Sequence, residues 1–150
     1  MPVELGPRDE KRFRALDEET RDYLGFQLDL CLGILSRRPQ HLEALASAAN
    51  ALTALGYYAD GLALDRRLSA LRPEDPVVVY NLACSLALAG QNDEALTVLA
   101  QAIRLGYREA EHMAQDPDLV SLQKFPQFRQ LLAEVSDKAE SEDGESAELA

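Results

Sequence analysis

Tryptophan is absent from this chain, and the other specialised residues are few: two cysteines, two methionines and two histidines in 150 residues. Cys31 and Cys84 stand alone, with no metal-ligand or redox spacing and too few for a disulfide framework, which suits a reducing compartment. His41 and His112 are far apart and neither has a second ligand four residues away, so no zinc-helix pattern is present. No glycine-rich phosphate loop or nucleophile elbow occurs. Carboxylates are many, but they fall at helix starts, on charged faces and in the tail, with no distinct acid–base pair. Those shortages argue against an enzyme and imply no cofactor and no metal. Positive charge is also short, with 15 Lys and Arg against 26 Asp and Glu and a net charge of -11. A chain so acidic lacks the basic face that nucleic acid or an anionic membrane surface requires. No apolar run approaches the roughly 18 residues that cross a bilayer, and residues 1–6 lack the basic and apolar regions of a signal peptide. The expected location is cytoplasmic.

What the chain does have is a sequence written twice. Gly56 falls on Gly90, Leu52 on Leu86, Ala49 on Ala83, Leu62 on Leu96 and Leu71 on Leu105, each at an offset of 34 residues. Leu45 with Val79, Asp60 with Glu94 and Gly61 with Ala95 follow the same offset. A fixed period of that length is the signature of stacked repeats, each reading here as two helices joined at its glycine. The helices are expected over about residues 40–55 and 58–71, then from Asp75, a good N-cap before Pro76, to a break at Gly90. Asn92 is read as the cap of the next helix, which ends near Leu105 with Gly106 closing it.

Upstream, residues 9–19 read as one charged helix with Phe13 and Leu16 as a thin apolar stripe. From Tyr23 to Leu35 the stripe thickens through Leu24, Leu28, Cys31, Leu32 and Leu35, and Phe26, Leu30 and Ile34 widen it. Pro39 lies one period before Pro73, so this helix takes the place of a second repeat helix. Residues 9–40 form a degenerate repeat or an N-terminal cap. The organisation is therefore a loosely ordered 1–8, a single helical domain over 9–137 built from 9–40, repeats at 41–75 and 76–109 and a C-terminal cap at 110–137, and an acidic tail at 138–150. That tail has six acids from Asp137 onward against Lys138 alone, and so little apolar surface that it is expected to be disordered.

The repeat resembles the tetratricopeptide repeat. Tyr80-Asn81-Leu82-Ala83 with Gly90 and Asp93-Glu94-Ala95-Leu96 lies closest to that family, which also places small residues where its two helices cross, here Ala49 with Gly61 and Ala83 with Ala95. Asp65 departs from it at a position that is usually large and apolar, and Tyr107 stands where a closing proline is usual. Gly106, Asp116-Pro117-Asp118-Leu119, Leu122, Pro126, Phe128 and Leu131-Leu132 resemble the segment that ends some bacterial arrays of this family. The resemblance implies an all-α fold of helical hairpins stacked as a short right-handed α-solenoid. It also implies a protein-protein interaction module that holds a partner's peptide or helix in a concave groove. Carried over position by position, the groove is Glu43, Ala46, Ser47, Asn50 and Thr53 in one repeat and Val77, Tyr80, Asn81 and Cys84 in the next, while Ala87 and Leu88 read as covered by the cap. One subclass clamps a terminal carboxylate; Asn50 and Asn81 match it, but Ala46 stands where it needs lysine. The alternatives are a small acidic chaperone for an aggregation-prone client, as in bacterial type III secretion, and a homo-oligomeric structural domain.

Overall fold

A computed structural model of the chain describes residues 4–149, and side chains through residue 144. It is all-helical among the described residues: α1 (Glu10–Ala15), α2 (Glu18–Arg37), α3 (Leu42–Ala54), α4 (Tyr58–Leu71), α5 (Pro76–Leu88), α6 (Asn92–Arg104), α7 (Ala110–Gln115), a 3-10 helix at Pro117–Leu122, and α8 (Pro126–Leu149). None of these helices is long and apolar enough to cross a membrane. They sort into two compact units, Met1–Pro73 and Glu74–Ala150.

In the first unit α3 packs against both α2 and α4. Its core is Leu24, Leu28, Cys31 and Leu35 from α2, spaced at three and four, with Ala44, Leu45, Ala48 and Leu52 from α3 and Leu62, Leu64 and Leu68 from α4. The α3–α4 crossing is tight for a visible reason. A Cβ on Gly61 would lie 3.3 Å from the Ala49 carbonyl oxygen and 2.5 Å from Thr53 Oγ1. Only small residues allow the two backbones that approach. Asp65, at the position where the family resemblance leads one to expect a large apolar side chain, is nevertheless buried.

In the second unit α5 packs against α6 in the same manner, and the 3-10 helix packs on α5. Ala83 and Ala95 are fully buried here, as are Leu86, Leu99, Ile103, Met113, Leu119 and Leu122. Helix α8 reaches α6 and α7 and buries Phe128 and Val135.

Three helices stop alike. After α3, α5 and α6 a glycine takes positive φ, at Gly56, Gly90 and Gly106. The following amide reaches back along the helix: Tyr57 N–H to the Leu52 carbonyl, Gln91 to Leu86 and Tyr107 to Ala102. This closure satisfies carbonyls the helix leaves open and needs a residue without a Cβ. Starts are less uniform. Asp75 accepts from the amides of Val77 and Val78 with Pro76 at the first position, whereas His41 caps α3 by accepting the Ala44 N–H on Nδ1. Asn92 is not a cap: α6 begins at Asn92 after Gln91, which makes no side-chain capping bond.

The N-terminal region differs from expectation in three respects. The helix expected over residues 9–19 is broken, because the Asp17 side chain accepts the Thr20 N–H and starts α2 afresh. Residues 4–8, expected to be loose, are attached: Gly6 N–H donates to Asp60 Oδ2 at 2.8 Å, and the Arg8 guanidinium lies 3.5 Å from the Phe13 ring centroid. Finally, Phe26 and Leu30 do not widen the core stripe but are 68% and 55% exposed. At the other end, α8 continues through the acidic stretch to Leu149, so residues 138–149 are helical where disorder was expected. Residues 1–3 and 150 lie outside the described residues.

Candidate functional site

Helix α3 presents one face to its neighbours and another to solvent. Ala44, Leu45, Ala48 and Leu52 are buried, while Glu43, Ala46 and Asn50 are exposed at spacings of three and four. Ser47 and Thr53 are half-buried at the edge of that face. Ser47 lies against the α2 helix, where its hydroxyl opposes the rise that burial gives the Cys31 thiol. The five residues thus form one solvent-facing strip, polar at its ends and small at its middle.

The second set is split. Val77 and Asn81 are exposed, with Val77 at 57%. Tyr80 and Cys84 are only 3% and 6% exposed, so they offer no partner surface and the expected assignment is corrected for both. The covering comes from the same unit. Tyr107 stacks on Tyr80 with ring centroids 4.1 Å apart and planes 5° from parallel. Tyr80 Oη–H donates to Asp116 Oδ2 at 2.6 Å, and Cys84 Sγ–H donates to the same oxygen at 3.6 Å. Asp116 Oδ1 accepts the Asp118 N–H at 3.0 Å and so caps the 3-10 helix. His112 Nε2 comes within 3.4 Å of Asp116 Oδ2 from the exposed side. The sequence carried Asp116 as a turn former; its partnership with Tyr80 had no local signal, since the two are separated by 36 residues.

Cys84, Asp116 and Asp118 bring potential ligand atoms within 4.8 Å of one another, the sole such group among the described residues. A metal requires Cys84 as thiolate. Burial first, then the charges of Asp116 and Asp118, push the Cys84 thiol far above its ordinary range. Tyr80 is driven up chiefly by burial and keeps its proton for Asp116. Asp116 Oδ2 already accepts two donors. The arrangement therefore suits a carboxylate hub with protonated partners, which holds the 3-10 helix to α5.

A cavity of about 470 Å³ opens in the first unit beside α1 and α2, lined by Leu5, Phe13, Arg21, Gly25, Leu28 and Tyr57 among others. Arg21 is committed on its rim: Nε donates to the Phe13 carbonyl and Nη2 to that of Arg14.

No family model matches the chain. It is similar to a protein of Arabidopsis thaliana described as chloroplastic, with 33% identity over 64 residues. That match takes in 43% of this chain and 19% of the relative, so the chain spans about a fifth of the length of that protein.

Proposed function

We propose that this chain is a protein-protein interaction module of tetratricopeptide type, and that the exposed strip of α3 is where it engages a partner. The observation that carries the reading is the two-faced character of α3. Glu43, Ala46 and Asn50 face solvent together while the opposite side of the helix is locked in the core. A rigid helix face of this kind orders little on binding and so loses little entropy. The family assignment is supported by the coincidence of the 34-residue sequence period with two helical hairpins, α3–α4 and α5–α6, each turned at a positive-φ glycine. A non-enzymatic role belongs to this reading, and the burial of the Cys84 thiol and the Asp116 carboxylate, committed to each other, is in keeping with it.

The chemistry of the strip differs from that of an aromatic groove. With Tyr80 buried, the strip offers Asn50 as donor and acceptor, Glu43 as an anion and Ala46 as a flat apolar spot. It fits a peptide or helix that carries a hydrogen-bonding group and a cation, and it disfavours a free carboxylate. A photo-crosslinking residue at Ala46, compared in the native host with one at the exposed Ala63 on α4, tests the assignment. A discrete partner captured from position 46 and not from 63 supports it; equal capture from both, or none from 46, refutes it.

A further inference from the structure

Five large apolar side chains are exposed among the described residues, and three of them, Tyr23, Phe26 and Leu30, lie on α2. Their spacings of three and four place them in one line, opposite the buried Leu24, Leu28, Cys31 and Leu35. The line continues at the same spacing to Gly33 and Arg37, and backward to Glu19. A Cβ on Gly33 would meet nothing within 4 Å, so no neighbour in the chain requires this helix-weakening residue. Glu19 and Arg37 are exposed, and no ion pair among the described residues holds either.

We propose that this face of α2 is a self-association surface, on which a second copy of the chain lays its own α2 antiparallel. The register follows from the residues. With the twofold axis at position 28, Glu19 meets Arg37 of the other copy, Tyr23 meets Gly33, and Phe26 meets Leu30. Each step pairs unlike with unlike: acid with base, large ring with empty space, aromatic with aliphatic. A twofold contact must be complementary to itself, and this line is. The parallel arrangement fails on the same residues. It sets Glu19 against Glu19, Arg37 against Arg37 and ring against ring, and leaves the gap at Gly33 open. A single α2 is about 30 Å long, and one pair of helices buries less than a standard interface. The dimer is therefore concentration-dependent, with a dissociation constant on the order of micromolar. The surface is distinct from the α3 strip, and neither proposal rests on the other.

Sedimentation equilibrium of the full chain over a wide concentration range, at low and moderate salt, tests the proposal. Wild type is expected to pass from monomer to dimer. Phe26→Glu is expected to stay monomeric while its far-ultraviolet circular dichroism is unchanged, since the side chain is exposed. Glu19→Arg and Arg37→Glu are each expected to weaken the dimer roughly threefold to tenfold, because two symmetric pairs are reversed, and the double exchange is expected to restore it. That restoration separates antiparallel pairing from any other use of the face. A wild type that is monomeric at millimolar concentration would overturn the proposal and leave the face to a different occupant, such as another protein's helix. A dimer indifferent to Phe26→Glu, or a double exchange that restores nothing, would overturn it equally.

Discussion

Tyr80 and Asp116, 36 residues apart, are joined by a 2.6 Å hydrogen bond from the phenol to a buried carboxylate. The bond fixes the start of the 3-10 helix on the flank of α5 and turns an expected partner-binding tyrosine into an internal fastener. Tyr80→Phe removes the donor, keeps the ring on Tyr107 and leaves the carboxylate buried short of a partner. The expected loss of stability is about 1.5–3 kcal/mol, the range for hydrogen bonds to charged groups. Asp116→Ala removes the cap to Asp118 as well and should cost more. Urea unfolding of the three proteins measures both. Unchanged midpoints for Tyr80→Phe would mean the bond contributes nothing.

The same neighbourhood sets an alkaline limit. Cys84 is pushed far up, by burial before the nearby carboxylates, and Tyr107 is pushed up to about 12, again mainly by burial. A group whose folded pKa is raised gives stability that is complete below its unfolded pKa and is lost as pH rises through the folded value. For Tyr107 that window runs from roughly 10 to about 12. Absorbance of thiolate and of phenolate, followed in native and urea-unfolded chain, should show fewer ionised groups in the native protein at pH 10. Equal titration curves would contradict the burial of this cluster.

At the acid end the N-caps of α1 and α2 respond in the opposite sense. Asp9 is held below the ordinary carboxylate range, first by the Arg12 N–H and with further help from the Tyr58 hydroxyl, and Asp17 by the Thr20 N–H. Stability from a lowered carboxylate is present above about pH 4 and is lost as pH falls through the folded value. Asp9 N–H also donates to the Gly56 carbonyl at 2.9 Å, so acid should release α1 from the α3–α4 turn. Exchange of the Asp9 amide against pH reports this directly, and Asp9→Asn, a neutral cap of similar quality, should flatten the dependence.

How much of this was readable in advance depends on the range of each signal. The two hairpins were legible, because the pairs Gly56 with Gly90 and Leu52 with Leu86 repeat a local pattern, and Asp75-Pro76 states its own helix start. Phe26 and Leu30 were misplaced for a physical reason: the apolar residues of α2 cover most of its circumference, so periodicity alone cannot say which side is core. Tyr80 and Cys84 were misplaced because the period does not foretell what covers them: Tyr107 stands where the preceding repeat has Pro73, and Asp116 lies beyond the second repeat. Residues 4–8 read as loose from Gly6 and Pro7, yet Gly6 is anchored at Asp60 and the following Asp9 at Gly56, each about fifty positions away.

The two turn glycines, equivalent by period, are not equivalent in space. Both have positive φ, 96° at Gly56 and 80° at Gly90. A Cβ on Gly90 meets nothing within 4 Å, whereas one on Gly56 would lie 2.7 Å from the Asp9 carbonyl oxygen. Gly90→Ala should therefore cost on the order of 1 kcal/mol from backbone strain alone. Gly56→Ala should cost more, and should also raise amide exchange along α1 by forcing it off the turn. Equal effects of the two substitutions would show that α1 is not seated there.

The acidic end of α8 is helical but thinly held. Beyond Val135 no described side chain is buried; Lys138 pairs within the helix with Glu134, and from outside it Arg108 Nε donates to Glu142 Oε1 at 2.9 Å, with the Glu142 side chain 56% exposed. Arg108 has other anchors, since its Nη1 donates to the carbonyls of Ile103 and Tyr107. An exposed ion pair contributes at most about 1 kcal/mol and is screened by salt. Truncation after Lys138 should accordingly lower the helical signal in circular dichroism yet move the melting temperature by only a few degrees. Glu142→Gln should have a smaller effect still, vanishing at high salt. A large drop in melting temperature on truncation would show that the stretch packs against the second unit through more than this one pair.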